Sequence, residues 1–500
     1  MNLSAQFEQE SNKEKGTKIN VPEKCFGILS LEIEDVGITQ LPQHIVLTID
    51  CSASMNDYVQ SDGQTKMQHI LFTVQNMVRY FSTLENGPPI TMSIFAFDDS
   101  IHSILMNIDM TTLDFDVFVG ILYKKVYPMG STNIELALSN AKSYISKYMS
   151  ANPGAVVTHL MMTDGDANCG STNNDRLQTY VEYTQCTTII FGFGTTHNSN
   201  MLSYITQTGY YYFIDQLENS GSVYGQALHK VLYNSISYIY ITVENGKIYN
   251  WKTGEWATEM LVGSAGGGGI PKKYHIVTDD TMSIQVHASG IIIATGAPCK
   301  TELSQGSVEI VEDLVKYKFR QQTLELLLEA KTAPRREQRF NNRIDQHLDS
   351  SDCQLKLKNL FDEMTKYVED NGLEEDKFMK LLCDDVYIGY KTVGTKYGNM
   401  YATARQTSQG GQCVYNATFI PLDAEDVEVD CTTTDYDMDD DEVDDDVRGG
   451  AIDACSSIGT SIRTIDIYNK GYTLSQCIDS PYEDERAITM MRTLTTGSSI

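Results

Sequence analysis

Five oxygen-bearing side chains are spaced so that a folded chain can turn them toward one point. They are Asp50, Ser52 and Ser54 in the run IDCSASM, Thr132 in PMGSTN, and Asp164 in MMTDGD. Alternation by two residues lets positions 50, 52 and 54 face the same way along an extended segment. All of these donors are hard oxygens, three of them neutral hydroxyls and two carboxylates. Such a set suits Mg²⁺, with Mn²⁺ or Ca²⁺ as alternatives, and not zinc or copper, which prefer nitrogen and sulfur. Hydroxyls and water complete an ion's geometry but leave much of its charge uncompensated. A cation held this way keeps affinity for one more anionic oxygen, which an acidic side chain of a partner protein would supply.

Donors scattered over more than a hundred residues meet only if regular elements deliver them. The run 44–49 (HIVLTI) is short, β-branched and continuously apolar, as expected of a strand covered on both faces. From 65 to 84, Met67, Ile70, Leu71, Val74, Met77, Val78 and Phe81 recur at three- and four-residue steps, which predicts an amphipathic helix. The alternation continues with strands at 91–99, 156–164, 187–194 and 210–214. A helix carrying Ile134, Ala137, Leu138, Ala141, Ile145 and Tyr148 lies among them. This order implies an α/β fold, a doubly wound and mostly parallel sheet with helices on both faces. In such sheets ligands bind outside the carboxyl ends of the strands, where Asp50 and Asp164 fall, while Thr132 sits just before its helix.

The pattern D-x-S-x-S, then a distant Thr, then a distant Asp before Gly, resembles the metal-ion-dependent adhesion site of the von Willebrand factor A domain. Asp50, Ser52, Ser54, Thr132 and Asp164 match it at every position, within about 175 residues of alternating strand and helix. The resemblance implies that the two Ser and the Thr ligate the metal, that the two Asp act directly or through water, and that the module binds protein. Three neighbouring acids, Asp98, Asp99 and Asp166, are read as solvated loop acids or helix caps and not as ligands.

The flanks suggest further units. Residues 25–37 and the runs at 235–250, 256–262, 272–277 and 282–287 alternate as strands do, and Asn245-Gly246 signals a hairpin. An all-β sandwich built from 21–40 and 235–300 around an A domain at 43–218 is the expectation. This organisation resembles intracellular or viral proteins of the family, including plant proteins that add a RING finger. The RING cysteines are absent here, so ligase activity does not carry over, although an adaptor role in a ubiquitin-related pathway stays open. Residues 306–400 read as a bundle of three helices, the first running from Val308 to Leu328, followed by a mostly disordered acidic tail at 401–500. The first 20 residues read as disordered. Within the tail, Ser480-Pro481-Tyr482-Glu483 is a capping-box signal ahead of ERAITMMRTL, a helix able to dock on this or another chain.

Composition bounds the function. Of the 500 residues, 38 are basic and 67 acidic, for a net charge of −29, which repels nucleic acid and anionic lipid alike. Half of that charge is local, since 14 acidic residues and no basic one fall between 423 and 446, a run that self-repels. Asp435, Asp437 and Asp439 mimic the start of an EF-hand loop, but Asp440 stands where that loop needs Gly. Arg335, Arg336, Arg339 and Arg343 read as a solvated face. The 11 cysteines include no C-x-x-C pair, which excludes a zinc finger and fits a reducing compartment. No apolar stretch is long enough to span a bilayer and the start lacks a signal-peptide core, so an intracellular or virion location is expected. No Walker loop, H-E-x-x-H or G-x-S-x-G occurs. The reading is a non-enzymatic binding or scaffold protein, the alternative a structural component of a large assembly such as a virion.

Overall fold

The structure, a computed structural model, describes residues 1–8, 25–34, 41–58, 63–84, 87–182, 186–194, 197–206, 209–214, 220–333, 350–412, 482 and 485–496. The chain opens with β1 (Asn2–Glu8) and β2 (Cys25–Glu32). An alternating stretch follows: β3 (Gln43–Asp50), α1 (Lys66–Thr83), β4 (Ile90–Phe97), β5 (Ile101–Asp109), α2 (Phe115–Lys125), α3 (Ile134–Ala151) and β6 (Val156–Thr163). It continues with α4 (Asn174–Val181), β7 (Cys186–Phe193), α5 (Ser199–Ile205), β8 (Tyr210–Ile214) and α6 (Ser220–Leu232). Next come β9 (Asn234–Glu244), β10 (Gly246–Asn250), β11 (Glu255–Ala257), β12 (Glu259–Gly266), β13 (Lys272–Thr278), β14 (Gln285–Ile292), β15 (Pro298–Glu302) and β16 (Val308–Val311). The last elements are α7 (Val315–Thr332), α8 (Ser350–Asn371), α9 (Lys377–Thr392), α10 (Lys396–Gly411) and α11 (Glu485–Thr496).

The site-bearing unit is the expected doubly wound α/β sheet. Its order is β5-β4-β3-β6-β7-β8, parallel throughout except for the edge strand β5. Every residue of β3 is buried because helices cover both faces, which is why that strand reads as a continuous apolar run. Thr65 starts α1 with a capping box: its hydroxyl accepts from the Gln68 N–H at 3.2 Å, and the Gln68 side chain accepts from the Thr65 N–H at 2.7 Å. All seven apolar residues expected to line that helix are buried, contributing on the order of 10 kcal/mol of transfer free energy. Asn133 caps α3 by accepting from the Leu136 N–H, so the helix begins directly after Thr132. Strand β5 and helices α2, α4, α5 and α6 lie outside the elements expected from the sequence.

The second unit is a sandwich of two sheets, ordered β11-β10-β13-β2-β1-β16 and β12-β9-β14-β15, closed over Leu29, Ile241, Ile248, Ile276 and Val286. Asn245-Gly246 does not make the expected hairpin. Strand β9 pairs with β12 and β14, whereas β10 pairs with β11 and β13, so the chain changes sheets at that turn. Asn245 takes φ +56°, donates its side-chain amide to the Ser283 carbonyl, and its own carbonyl accepts from the Thr278 hydroxyl. The apolar residues of both strands are better covered by facing sheets than by each other.

Three further expectations need correction. The start of the chain is not disordered over 2–8: Leu3, Ala5 and Phe7 point into the sandwich, β1 pairs with β2 and β16, and Glu8 meets Lys318 at 2.6 Å. Residues 308–311 are a strand filling the edge beside β1, so the first long helix begins only at Val315. Residues 401–411 are not an exit into a tail but helix α10, whose small side chains let it lie close to Trp251 and whose Arg405 forms a buried ion pair with Asp385. Of the two docking alternatives for the ERAITMMRTL helix, the structure shows the first: it packs on this chain, with Met490 and Leu494 joining the core of the first unit. The acidic run 423–446, its Asp435–Asp440 segment, the four arginines at 335–343 and Ser480-Pro481 lie outside the described residues. Among the described residues, no helix is long and apolar enough to cross a membrane.

Close approach of α6 and α11 depends on Gly225, since a Cβ there would lie 2.5 Å from the Met491 Cα. Gly225→Leu is expected to dislodge α11 and cost roughly 1–3 kcal/mol, read as faster amide exchange over 485–496. Burial also holds His44 and His159 at pKa values of about 4, below the ordinary 6.5. Both are therefore neutral in the fold and take up protons on unfolding in acid. Their contribution is complete above pH 6.5 and falls as pH drops toward 4, by on the order of 1–2 kcal/mol apiece at pH 5. Urea titrations across that range should show the loss, and His159→Gln should make it shallower.

Candidate functional site

The carboxyl ends of β3 and β6 lie side by side because the two strands pair in parallel register, Ile49 opposite Met162. Asp50 closes β3 and has no exposed surface. One of its oxygens accepts from the Ser52 N–H at 2.8 Å, the other from the Thr163 hydroxyl at 2.5 Å. Burial pushes its pKa up to about 6, against the lowering effect of the Thr163 and Ser52 hydrogen bonds, and Asp164 adds a small upward push.

From Asp50 the chain turns through a short 3₁₀ segment, Ala53–Asn56, toward α1. The hydroxyls of Ser52 and Ser54 lie 3.2 Å apart, and Ser54 donates to Oδ1 of Asp164 at 2.8 Å. Thr132 arrives on the loop before α3. Two backbone bonds hold that loop against the first one, Ala53 N–H to the Gly130 carbonyl and Met129 N–H to the Cys51 carbonyl. Thr132 is 3% exposed; its N–H donates to Asn168 Oδ1, and its carbonyl accepts from the Asn168 and Cys169 N–H groups. A side chain at position 165 would crowd this loop, because a Cβ there would stand 3.0 Å from the Thr132 hydroxyl. The five expected residues therefore share one small region at the carboxyl edge of the sheet.

One participant was not foreseen. The Lys66 ammonium, on the first turn of α1, donates to Oδ2 of Asp164 at 2.7 Å and to Asp57 at 3.1 Å. Burial opposes its charge, but the two carboxylates outweigh that and raise its pKa. The Thr65 cap signals where α1 begins; only the folding of that turn over β6 puts residue 66 beside Asp164. Of the neighbouring acids, Asp99 and Asp166 are exposed as expected. Asp98 is not a solvated loop acid: it is 1% exposed, and its Oδ1 accepts from both the N–H and the hydroxyl of Ser100 at 2.7 Å.

These donors fit a small hard cation. Neighbouring oxygens around an octahedral Mg²⁺, at about 2.1 Å from the ion, stand about 3 Å apart. The separations of 3.2 Å between Ser52 and Ser54 and 2.8 Å between Ser54 and Asp164 are of that size. The site also draws positive charge, as the Lys66 ammonium on Asp164 shows. A cavity of about 590 Å³ lies elsewhere, where the sandwich, the first unit and the helices meet, and none of the five residues lines it.

Residues 44–226 match the family model of the von Willebrand factor type A domain, and the chain contains such a domain over that span. No curated protein matches the chain. Among solved structures, it is similar to a von Willebrand factor type A protein from Catenulispora acidiphila at 13% identity and a TM-score of 0.48, covering 76% of this chain and 88% of that one. It is also similar to the ArnB paralog VWA2 from Sulfolobus acidocaldarius, at 13% identity and a TM-score of 0.44, covering 82% and 98%. Proximal thread matrix protein 1 from the mussel byssus matches at 17% identity and a TM-score of 0.29, over 38% of this chain and 46% of that one.

Because Lys66 and a divalent ion would compete for Asp164, removing the ammonium favours the ion. Lys66→Met is expected to tighten Mg²⁺ binding roughly three- to tenfold, equivalent to a partly buried ion pair of about 1 kcal/mol. Isothermal titration of both proteins with MgCl₂ checks this; unchanged or weaker binding contradicts it.

Proposed function

We propose that the A domain binds a divalent cation, Mg²⁺ in the first place with Mn²⁺ or Ca²⁺ as alternatives, and uses it to capture an acidic side chain of a protein partner. Ser52, Ser54 and Thr132 supply hydroxyl ligands, Asp164 a carboxylate oxygen, and Asp50 acts through water from its buried position. The observation that carries this reading is the continuous run of contacts from Ser52 through Ser54 to Asp164 at the edge of the sheet. A donor set with so few free carboxylates leaves the ion electrophilic toward one further anionic oxygen. We read the module as a binding device and not an enzyme, since the Ser52 and Ser54 hydroxyls are engaged with one another and Ser54 with the Asp164 carboxylate. The sandwich and helices serve as its scaffold. An intracellular setting accords with the described cysteines, no two of which are joined by a disulfide.

Two side chains separate metal binding from folding. Ser54→Ala removes a partly exposed ligand and should abolish Mn²⁺ binding, followed by electron paramagnetic resonance, while lowering stability by only about 1 kcal/mol, the worth of its hydrogen bond to Asp164. Asp50→Ala is different, because it strands the Thr163 hydroxyl in the core, and should cost about 1–3 kcal/mol as well as the metal. Capture of partners from the native lysate with Mg²⁺ present, lost in EDTA and lost in Thr132→Ala, is the expected functional result. Capture unaffected by chelation would favour the structural-component reading.

A further inference from the structure

Consecutive residues of the first loop point to opposite sides. Asp50, Ser52 and Ser54 face the site described above, while the Cys51 side chain turns back toward the end of β4, where its thiol donates to the Phe97 carbonyl at 3.2 Å. Two other ligand-type groups lie there. The donor atoms of Cys51, Asp98 and His102 all fall within 4.8 Å of one another, and Asp98 Oδ2 is 3.3 Å from His102 Nε2. We propose that Cys51, Asp98 and His102 form a second metal site, of a different chemical class from the first, that takes a borderline-soft transition ion with Zn²⁺ as its preferred occupant.

The donor chemistry is the first support. One sulfur, one imidazole nitrogen and one carboxylate oxygen make the mixed set that zinc favours, softer than the Ser and Thr hydroxyls of the neighbouring site. Distances are the second. Ligands on a tetrahedral zinc, at about 2.0 Å for N and O and 2.3 Å for S, stand roughly 3.3–3.6 Å apart. The Asp98 and His102 atoms are already at 3.3 Å, so only the sulfur must close in, by a χ1 adjustment that trades the Phe97 carbonyl for the ion. Binding releases the thiol proton to water as the Zn–S bond forms.

Positioning is the third support. Asp98 and Cys51 are 1% and 2% exposed, so two ligands are held by the core. Ser100 fixes Oδ1 of Asp98 through its N–H and its hydroxyl, which orients Oδ2 toward His102. The His102 side chain is 39% exposed and provides the way in for the ion, leaving a fourth position for water. The 98–102 turn also holds the loop bearing Thr132, since the Asn133 N–H donates to the Asp98 carbonyl. A zinc ion here would brace, from behind, the loop that presents Ser52 and Ser54.

Cobalt substitution tests the site on the full-length chain. Addition of Co²⁺ to reduced, metal-free protein should give one equivalent of tetrahedral cobalt with a thiolate-to-metal charge-transfer band, displaced by one equivalent of Zn²⁺. Cys51→Ser should abolish the charge-transfer band. His102→Ala, at a half-exposed position that should not affect folding, should weaken Zn²⁺ binding at least tenfold. Thr132→Ala should leave both signals intact, which separates this site from the hydroxyl site and from the fate of the function proposed above. A band that survives in Cys51→Ser would place the cobalt on another cysteine. Zinc binding lost in Thr132→Ala but kept in His102→Ala would place it in the hydroxyl site. Either result, or no tetrahedral cobalt at all, overturns the proposal.

Discussion

A carboxylate with no exposed surface, Asp50, takes one hydrogen bond from the hydroxyl of Thr163 and another from the backbone of Ser52. The first bond locks the end of β3 to the end of β6; the second sets the direction in which the chain leaves the sheet. The positions of Ser52, Ser54 and Asp164 follow from these two contacts. Burying such a group is costly unless its oxygens are satisfied, and here both are. Asp50 is thus a structural member of the sheet as much as a member of the site, and its environment raises its pKa while Lys66 pairs with the neighbouring Asp164.

The first loop gains its character from running between two rigid anchors, extended at Ser52 and turning through a 3₁₀ segment from Ala53. Even-numbered positions present hydroxyls and carboxylates; the odd position 51 presents sulfur to the turn after β4. Hard and soft donors are thereby sorted to opposite sides of a few residues of backbone. Because backbone bonds from Ala53 and Met129 join this loop to the one carrying Thr132, a displacement of either is felt by the other.

The C-terminal helices hold the A domain at several places along its sequence. Helix α10 packs against α5 and β8 through Met400, Tyr401 and Ala404, and α11 completes the opposite face through Met490 and Leu494. A buried network joins Arg405, Asp385, Gln409 and Tyr482. Removing one member would leave a buried charge or donor unpaired, so the network fixes α9 and α10 to each other and to Tyr482.

Much of the site was legible in the sequence, because the property that matters there is local. Spacing by two selects a common face, hydroxyls and carboxylates make a set of hard donors, and apolar runs of strand length followed by a helical period declare a doubly wound sheet. Tertiary structure alone decided the rest. Lys66 reaches Asp164 across 98 residues of sequence, and Cys51 reaches Asp98 and His102 only because β3 and β4 are neighbours in the sheet. The Asn245-Gly246 turn looked like a hairpin because turn chemistry sets the bend and not the partner; facing sheets outcompeted the adjacent strand. Residues 2–8, 401–411 and 485–496 looked weak on their own because short or Gly-, Ser- and Thr-rich segments gain their stability from the surfaces they dock on, and those surfaces are built from distant parts of the chain.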